Sequence, residues 1–440
     1  MNILHINKYH YLRGGSEAIY FGTAKLLEAH GHSSVFFSID HPENVPCESS
    51  KYFMTFIDLN TNDGSIIGHL RAAGRILYSL EARKCLSKLL DRCAVDLAHI
   101  HNIYHQISPS VLHELKKRNI PVVMTMHDYK IACASYLMVA DSKPCESCSG
   151  GKYISALIKK CVKESRAKSI VATIEMYLHH KLLDIYDNVD VFIAPSKFMK
   201  NKLIEMGCSK NIVQLCNFID ANKYGINSER NCGENSVVYF GRLSREKGLW
   251  TLLKAAKILN GIGSIKIKII GEGPLRDELE HFIKTENVHN VTFYGYLRGE
   301  SLLKEIQNSK GVIIPSECYE NNPMSCIEAF ALGKPAVGAR IGGIPELIKD
   351  GETGFTFEPC NAEDLAEKTM MLLNNEYLRI EMGINARRIV DNELNPEKHY
   401  QHLMEIYEVA TELNDRGKKH TVGKTLKKVM KKSCFAVRVL

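Results

Sequence analysis

The stretch from Pro315 to Phe330 holds two carboxylates, Glu320 and Glu328, with seven residues between them. Pro323 favours a helix start. A helix beginning there carries Glu328 in its second turn and leaves Glu320 in the preceding loop. Unpaired N–H groups then lie around Asn322, Pro323, Met324 and Ser325. Carboxylates accept hydrogen bonds from hydroxyl groups, and free N–H groups donate to phosphate oxygens. The plainer reading is an acidic loop followed by a surface Glu. The stretch Gly241–Gly248 puts Arg242, Arg245 and Lys247 beside another helix start. Like charges there oppose the helix dipole unless an anion is bound, and Arg and Lys are suited to clamping a diphosphate. The plainer reading is a solvated basic loop.

Weaker signals lie in the first half. Gly14 and Gly15, ahead of Ser16, let a backbone approach a ligand at a helix N-terminus, or make a plain capped turn. His127 and Asp128 end a strongly apolar run, where a His can orient a ligand or handle a proton. His99, His101 and His105 form a second imidazole group. Strand alternation sets His99 and His101 on one face, which would suit a metal, but no carboxylate or thiolate joins them at ligand spacing. Cys145-x2-Cys148 with Cys133 and Cys161 fits a tetrahedral structural zinc site, or a chance cluster among 14 cysteines.

Strands and helices must hold these residues in place. Apolar runs predict strands over 3–7, 34–39, 97–101, 122–126, 191–194 and 212–215. A second series covers 237–240, 267–270, 291–294, 311–314, 336–339 and 356–357. Helix-period stretches fall between them, at 17–30, 70–90, 174–184, 249–260, 275–285 and 302–308. Alternation of this kind predicts parallel sheets covered on both faces. Two such blocks predict an α/β protein of two doubly wound, Rossmann-like domains, with ligands beyond the carboxyl ends of strands. The polar stretch 217–235 marks the boundary. We therefore expect a first domain over 1–220, a second over 221–395, a terminal helix over 396–413 packing back on the first domain, and a basic amphipathic tail over 414–440.

Charged residues make up 24% and hydrophobic ones 45%, which excludes collagen-like, disordered and disulfide-scaffold classes. No apolar run is long enough to span a bilayer, and the N-terminus lacks signal-peptide features. The net charge of +7 is uneven. Nine Lys or Arg and no acids lie in 416–440, leaving 48 basic residues against 50 acidic ones elsewhere. The folded body is thus not a nucleic-acid-binding surface. In the tail, Leu426, Val429 and Met430 share one helical side while most lysines lie elsewhere, a pattern that lies on anionic membranes. A cytoplasmic protein held on the inner face of the cytoplasmic membrane is the expectation, with a solvated tail as the alternative.

Taken in order, Gly14-Gly15, His127-Asp128, Gly241-Arg242, Lys247-Gly248, Gly271-Glu272-Gly273-Pro274, Glu320 with Glu328, and Gly342-Gly343-Ile344-Pro345-Glu346 resemble the family-four retaining glycosyltransferases, over roughly residues 1–410. The resemblance implies the GT-B fold, two domains facing each other across a cleft. It implies transfer of a sugar from a nucleoside-diphosphate sugar to a glycan or lipid-linked acceptor; no Asp-x-Asp motif stands at a strand end, so no catalytic metal and no required cofactor are expected. Arg242 and Lys247 would neutralise the diphosphate, Glu328 would bind ribose, and Glu320 would hold the transferred sugar. Met324, Ser325 and their neighbours would meet the distal phosphate. Gly241, Gly271 and Gly273 would pass close to the donor, and His127 would contact its sugar. Relatives often place Gly-Phe-Gly after the first glutamate, where this chain has Asn321-Asn322-Pro323. A nucleotide-sugar epimerase of the same fold, or a non-catalytic polysaccharide-assembly scaffold, are the rival functions.

Overall fold

A computed structural model describes residues 1–57, 66–225, 234–262 and 264–415. Residues 226–233 of the expected boundary and 416–440 of the expected tail lie outside the described residues. The chain divides into two units. The first takes in Met1–Leu137, Glu146–Leu215 and the chain from His399 onward. The second takes in Met138–Cys145 and Cys216–Lys398. The short hairpin Val139–Ala140 with Lys143–Pro144 therefore groups with the second unit, although the sequence reading set it in the first.

The first unit is built on six strands: β1 (Asn2–Ile6), β2 (Ser33–Phe37), β3 (Leu97–Ile100), β4 (Val122–Thr125), β5 (Val191–Ala194) and β6 (Ile212–Gln214). Their order is β6-β5-β4-β3-β1-β2, all parallel. β3, β4 and β5 are buried along their whole length, which is why they read as continuous apolar runs. The helix Pro396–Asp415 lays Leu403, Ile406, Tyr407 and Ala410 against Ile3, Leu97, Val123 and Val191 of this sheet.

The second unit has β7 (Ser236–Phe240), β8 (Lys266–Ile270), β9 (Val291–Gly295), β10 (Gly311–Ile314), β11 (Ala336–Ala339) and β12 (Gly354–Phe357). Their order is β9-β8-β7-β10-β11-β12, again all parallel. Each sheet reverses direction once, between β1 and β3 and between β7 and β10. Those switch points are where loops splay apart and leave a crevice for a ligand.

The helices depart from the sequence reading in two places. The single helix expected over 70–90 is two, Ile66–Leu77 and Leu80–Leu90. Ser79 interrupts it: its hydroxyl caps the second helix by accepting from Ala82 N, and Ser110 Oγ donates to its carbonyl. The helix expected over 174–184 begins earlier, at Arg166, behind the Ser165 cap, and runs to Tyr177. The wider turn Leu178–Leu182 follows it.

Candidate functional site

In the second unit the polar residues gather at the switch point. β7 leads into Gly241–Lys247, and β10 leads into Pro315–Glu320. The two loops are tied by an ion pair, Lys247 Nζ to Glu320 Oε1 at 2.5 Å. Ser316 Oγ also donates to Glu320, at 2.7 Å. Burial pushes the Glu320 carboxyl up, but Lys247 and these hydrogen bonds outweigh it and hold the group below the usual range. Burial likewise opposes the Lys247 charge, and Glu320 overcomes it, so the ammonium is held firmly protonated.

Arg242 differs from Lys247. It is exposed, and among the described residues its guanidinium makes no hydrogen bond or ion pair. Its backbone is fixed, because Tyr239 Oη donates to the Arg242 carbonyl at 2.8 Å. The site thus holds one cation already shared with a carboxylate and one unspent. The helix Met324–Ala331 starts as expected, with Pro323 at its N-cap and no side-chain cap. Glu328 lies in its second turn, and burial pushes its carboxyl up to about 7.

Three expected residues are committed inside the protein. Asn322 is buried; its Oδ1 accepts from Asn217 N at 2.9 Å and its carbonyl accepts from Asn217 Nδ2 at 3.0 Å. That side chain anchors the start of the second unit. Gly271 and Gly273 are required by the protein itself. A Cβ at 271 would stand 1.9 Å from the Gly241 carbonyl oxygen, and one at 273 would stand 2.3 Å from that of Leu243. Backbone bonds Leu243 N to Glu272 O and Leu275 N to Leu243 O knit these two loops together.

Two positions outside the expected site set the carboxylate's place. Gly248, at φ +69°, would put a Cβ 1.8 Å from the Pro315 carbonyl oxygen. Gly342, at φ +62°, lies against the backbone of Glu320, and Gly343 N donates to Glu320 O at 2.7 Å. The Lys-Gly and Gly-Gly pairs were the sequence signals for them. Ser316 carried no signal.

In the first unit, Gly14 is exposed and extended, and a Cβ there would make only an ordinary contact, 3.8 Å from Glu17 Oε2. The protein does not demand a glycine there. Glu17, in the first turn of Gly15–Ala29, is buried and accepts from Asn7 Nδ2 and Ser16 Oγ; burial raises its carboxyl despite them. His127 follows β4, and its Nε2 hydrogen-bonds His101 Nδ1 at 2.9 Å. Burial lowers its imidazole to about 4, so it is neutral at physiological pH. Burial raises the Asp128 carboxyl to about 6.

The histidine group differs from the expected one. His5, His99 and His101 come together, with a ligand atom of each within 4.8 Å of the others. His105 is instead near Glu175 and Lys130. Both His99 nitrogens carry hydrogen bonds, to Tyr407 Oη at 2.7 Å and Thr125 Oγ1 at 2.8 Å. The His99 and His101 rings are stacked, as are those of His101 and His127. These rings therefore form a buried row of imidazoles that ends on His127, hydrogen-bonded to His101.

The family profile described as glycosyl transferases group 1 matches residues 222–389, and that described as glycosyltransferase family 4 matches residues 13–223. An uncharacterised glycosyltransferase of Methanocaldococcus jannaschii is 26% identical, over 79% of this chain and 84% of its own. The capsular polysaccharide biosynthesis glycosyltransferase CapM of Staphylococcus aureus is 27% identical, over 60% of this chain and 67% of its own. Among solved structures, sucrose-phosphate synthase of Thermosynechococcus elongatus superposes with a TM-score of 0.69, at 18% identity, over 94% of this chain and 100% of its own. Anabaena Alr3699/HepE in complex with UDP-glucose superposes with a TM-score of 0.63, at 16% identity, over 93% and 99%. Two doubly wound domains of this kind define the GT-B class of glycosyltransferases. Within that class, the chain belongs to the family-four glycosyltransferases.

Proposed function

We propose that this glycosyltransferase moves a sugar from a nucleoside-diphosphate sugar to a glycan or lipid-linked acceptor in surface-polysaccharide assembly, with the anomeric configuration retained. The observation that carries the reading is the switch point of the second sheet. There an unspent Arg242 lies on one loop, the Lys247–Glu320 pair ties that loop to the next, and an uncapped helix N-terminus follows. Breaking the bond between the anomeric carbon and the phosphate oxygen builds negative charge on the diphosphate and positive charge on the sugar. Arg242, Lys247 and the N–H groups at Met324 and Ser325 stabilise the first. Glu328 accepts from the ribose hydroxyls. Glu320 holds the donor sugar, with His127 assigned to the same sugar. The acceptor hydroxyl attacks from the face the phosphate leaves, and the departing phosphate oxygen takes its proton. No step needs a metal.

Two named relatives support the reading: one serves capsular polysaccharide biosynthesis, and one was solved with UDP-glucose. The tail 416–440 would hold the enzyme on the anionic inner face of the cytoplasmic membrane, each surface Lys or Arg contributing about 1 kcal/mol. The test is a panel of nucleotide-sugars with lipid-linked acceptors in EDTA. Products are read by mass spectrometry, and the new linkage is read by proton coupling at the anomeric carbon. An inverted linkage, an absolute need for added magnesium, or donor isomerisation without acceptor would each overturn its part. For the tail, deletion of 416–440 should abolish sedimentation with anionic vesicles at low salt while sparing transfer to a soluble acceptor.

A further inference from the structure

The helix Arg166–Tyr177 of the first unit is buried on one side only. On that side lie Ala172, Thr173 and Met176, with Glu175 paired to Lys130 at 2.7 Å. On the other side Ile170, Ile174 and Tyr177, four and three residues apart, form a stripe open to solvent. The short helix Ile154–Ile158 runs beside it in the opposite direction. Val162 N, just past the end of the short helix, donates to Ser169 Oγ at 3.1 Å, near the start of the longer one. At the other end Ile154 N donates to Tyr177 Oη at 3.4 Å, and Thr173 Oγ1 donates to the Tyr153 carbonyl at 3.4 Å. Ile154 and Ile158 are exposed as well, one helical turn apart. Leu182 is exposed in the wide turn that follows Tyr177. Ile158 is 73% open and Leu182 75%. Two adjacent helices thus leave six large apolar side chains in water, the mark of a surface that meets something else.

Cations bracket this face. From 152 to 182 the chain carries seven Lys or Arg, against Glu164 and the buried Glu175. Lys159, Lys160, Lys163, Arg166 and Lys168 lie where the two helices are joined. Lys152 lies at the other end. Lys181 does too, since a Cβ placed on Gly151 would stand 2.9 Å from its Cε. All seven are exposed. An apolar centre flanked by cations matches an anionic bilayer, whose headgroups take the lysines and whose acyl boundary takes the isoleucines. Other occupants fit worse. A nucleic acid would satisfy the cations but offers aliphatic side chains nothing. A second copy set face to face would bring like charges together, and the tail 416–440 carries nine more cations and no acid.

We propose that this two-helix face seats the first unit on an anionic lipid surface. Ile154, Ile158, Ile170, Ile174 and Leu182 enter the acyl boundary, and the flanking cations meet lipid headgroups. The proposal deepens the membrane reading given above and rests on it. The tail supplies long-range attraction, and the face decides which side of the first unit meets the lipid. Stable attachment takes two such signals, so neither holds the chain alone.

The test uses the full chain with vesicles of phosphatidylglycerol and phosphatidylcholine. The one native tryptophan is Trp250, in the second unit. In a Trp250→Phe background, Ile158→Trp becomes a reporter of depth. On anionic vesicles its emission should shift to the blue and be quenched by lipids brominated along the acyl chain. The double variant Ile158→Glu with Leu182→Glu should partition to the same vesicles about tenfold less or weaker still. Its melting temperature in solution should be unchanged, since both side chains are exposed. Should the double variant fail to fold, the tryptophan readout decides alone. If the wild type sediments with the vesicles, an unquenched tryptophan at 158 or an unchanged partition of the folded double variant would overturn the proposal and leave the tail's role standing. Failure of the wild type to sediment at low salt would overturn both. A wild-type dimer in lipid-free solution that Ile158→Glu dissolves would also overturn the proposal, the face then being an interface between copies.

Discussion

Glu328 is partly open to water yet set in dense protein, and that burial pushes its carboxyl up to about 7. A carboxylate accepts from ribose hydroxyls better than a neutral acid does, so the bound state favours loss of the proton. Affinity for a nucleoside diphosphate should therefore rise with pH and level off above about 7, losing at most about tenfold per pH unit below it. Glu328→Gln should remove that dependence, and calorimetry between mildly acidic and alkaline pH would show it. A wild-type profile as flat as the variant's would deny Glu328 the ribose. The two cations of the site should also part company. Arg242→Ala should lower turnover by about two to three orders of magnitude and leave thermal stability alone, because the side chain has no partner among the described residues to abandon. Lys247→Ala should lower both, because Glu320 is left with a charge and no counter-ion. Equal melting temperatures for the two variants would contradict that division.

Elements hold the site through close backbone contact more than through side chains. The loops after β7 and β10 meet where Gly248 faces the Pro315 carbonyl, and Glu317 N donates to Glu246 O at 2.9 Å. Gly248→Ala must take a left-handed conformation and also displace a backbone carbonyl. Gly261→Ala faces the first cost alone, since its φ is +89° and nothing among the described residues lies within 4 Å. We expect Gly261→Ala to cost about 1 kcal/mol and Gly248→Ala clearly more, with loss of transfer activity. Denaturant unfolding of both variants separates the contributions. If the two are equally destabilised, the close approach at Pro315 does not matter.

Across the whole molecule, neutral buried imidazoles are concentrated in the first unit. Burial lowers His5 to about 3, with His10 adding to the effect, and lowers His10, His105 and His127 to about 4. Burial also takes His99 and His101 well below the ordinary imidazole value, with neighbouring imidazoles reinforcing it. A folded pKa below the unfolded value means the unfolded chain binds protons first. The stability these groups contribute is complete above about pH 6.5 and is lost as pH falls toward 4, at roughly 1.4 kcal/mol per unit for each. Hydrogen exchange should show the first unit losing protection between pH 7 and 5, ahead of the second. His5→Phe should blunt the loss, since among the described residues neither ring nitrogen of His5 has a hydrogen-bond partner to give up. Unchanged first-unit protection at pH 5 would sink this account.

The strands, their parallel class and the helix at Pro323 were legible in the sequence because each rests on local physics. Apolar runs of four or five residues mark fully buried strands, and a proline after polar residues marks a helix start. The Ser79 cap was legible in principle, but apolar periodicity on both sides concealed it. Two families of facts needed tertiary structure. One is strand order, since a sequence lists β7 and β10 seventy residues apart while the switch point sets their loops side by side. The other is how shared residues are spent. Lys247 and Arg242 look alike in sequence, yet one is paired with Glu320 and the other is not. Gly271 and Gly273 look like ligand-facing glycines, yet a neighbouring backbone already fills their space. His5, ninety-four residues from His99, joins its row only because β1 lies next to β3. Such pairings depend on which loops the sheet brings within a few ångströms of each other, and no local pattern along the chain encodes that distance.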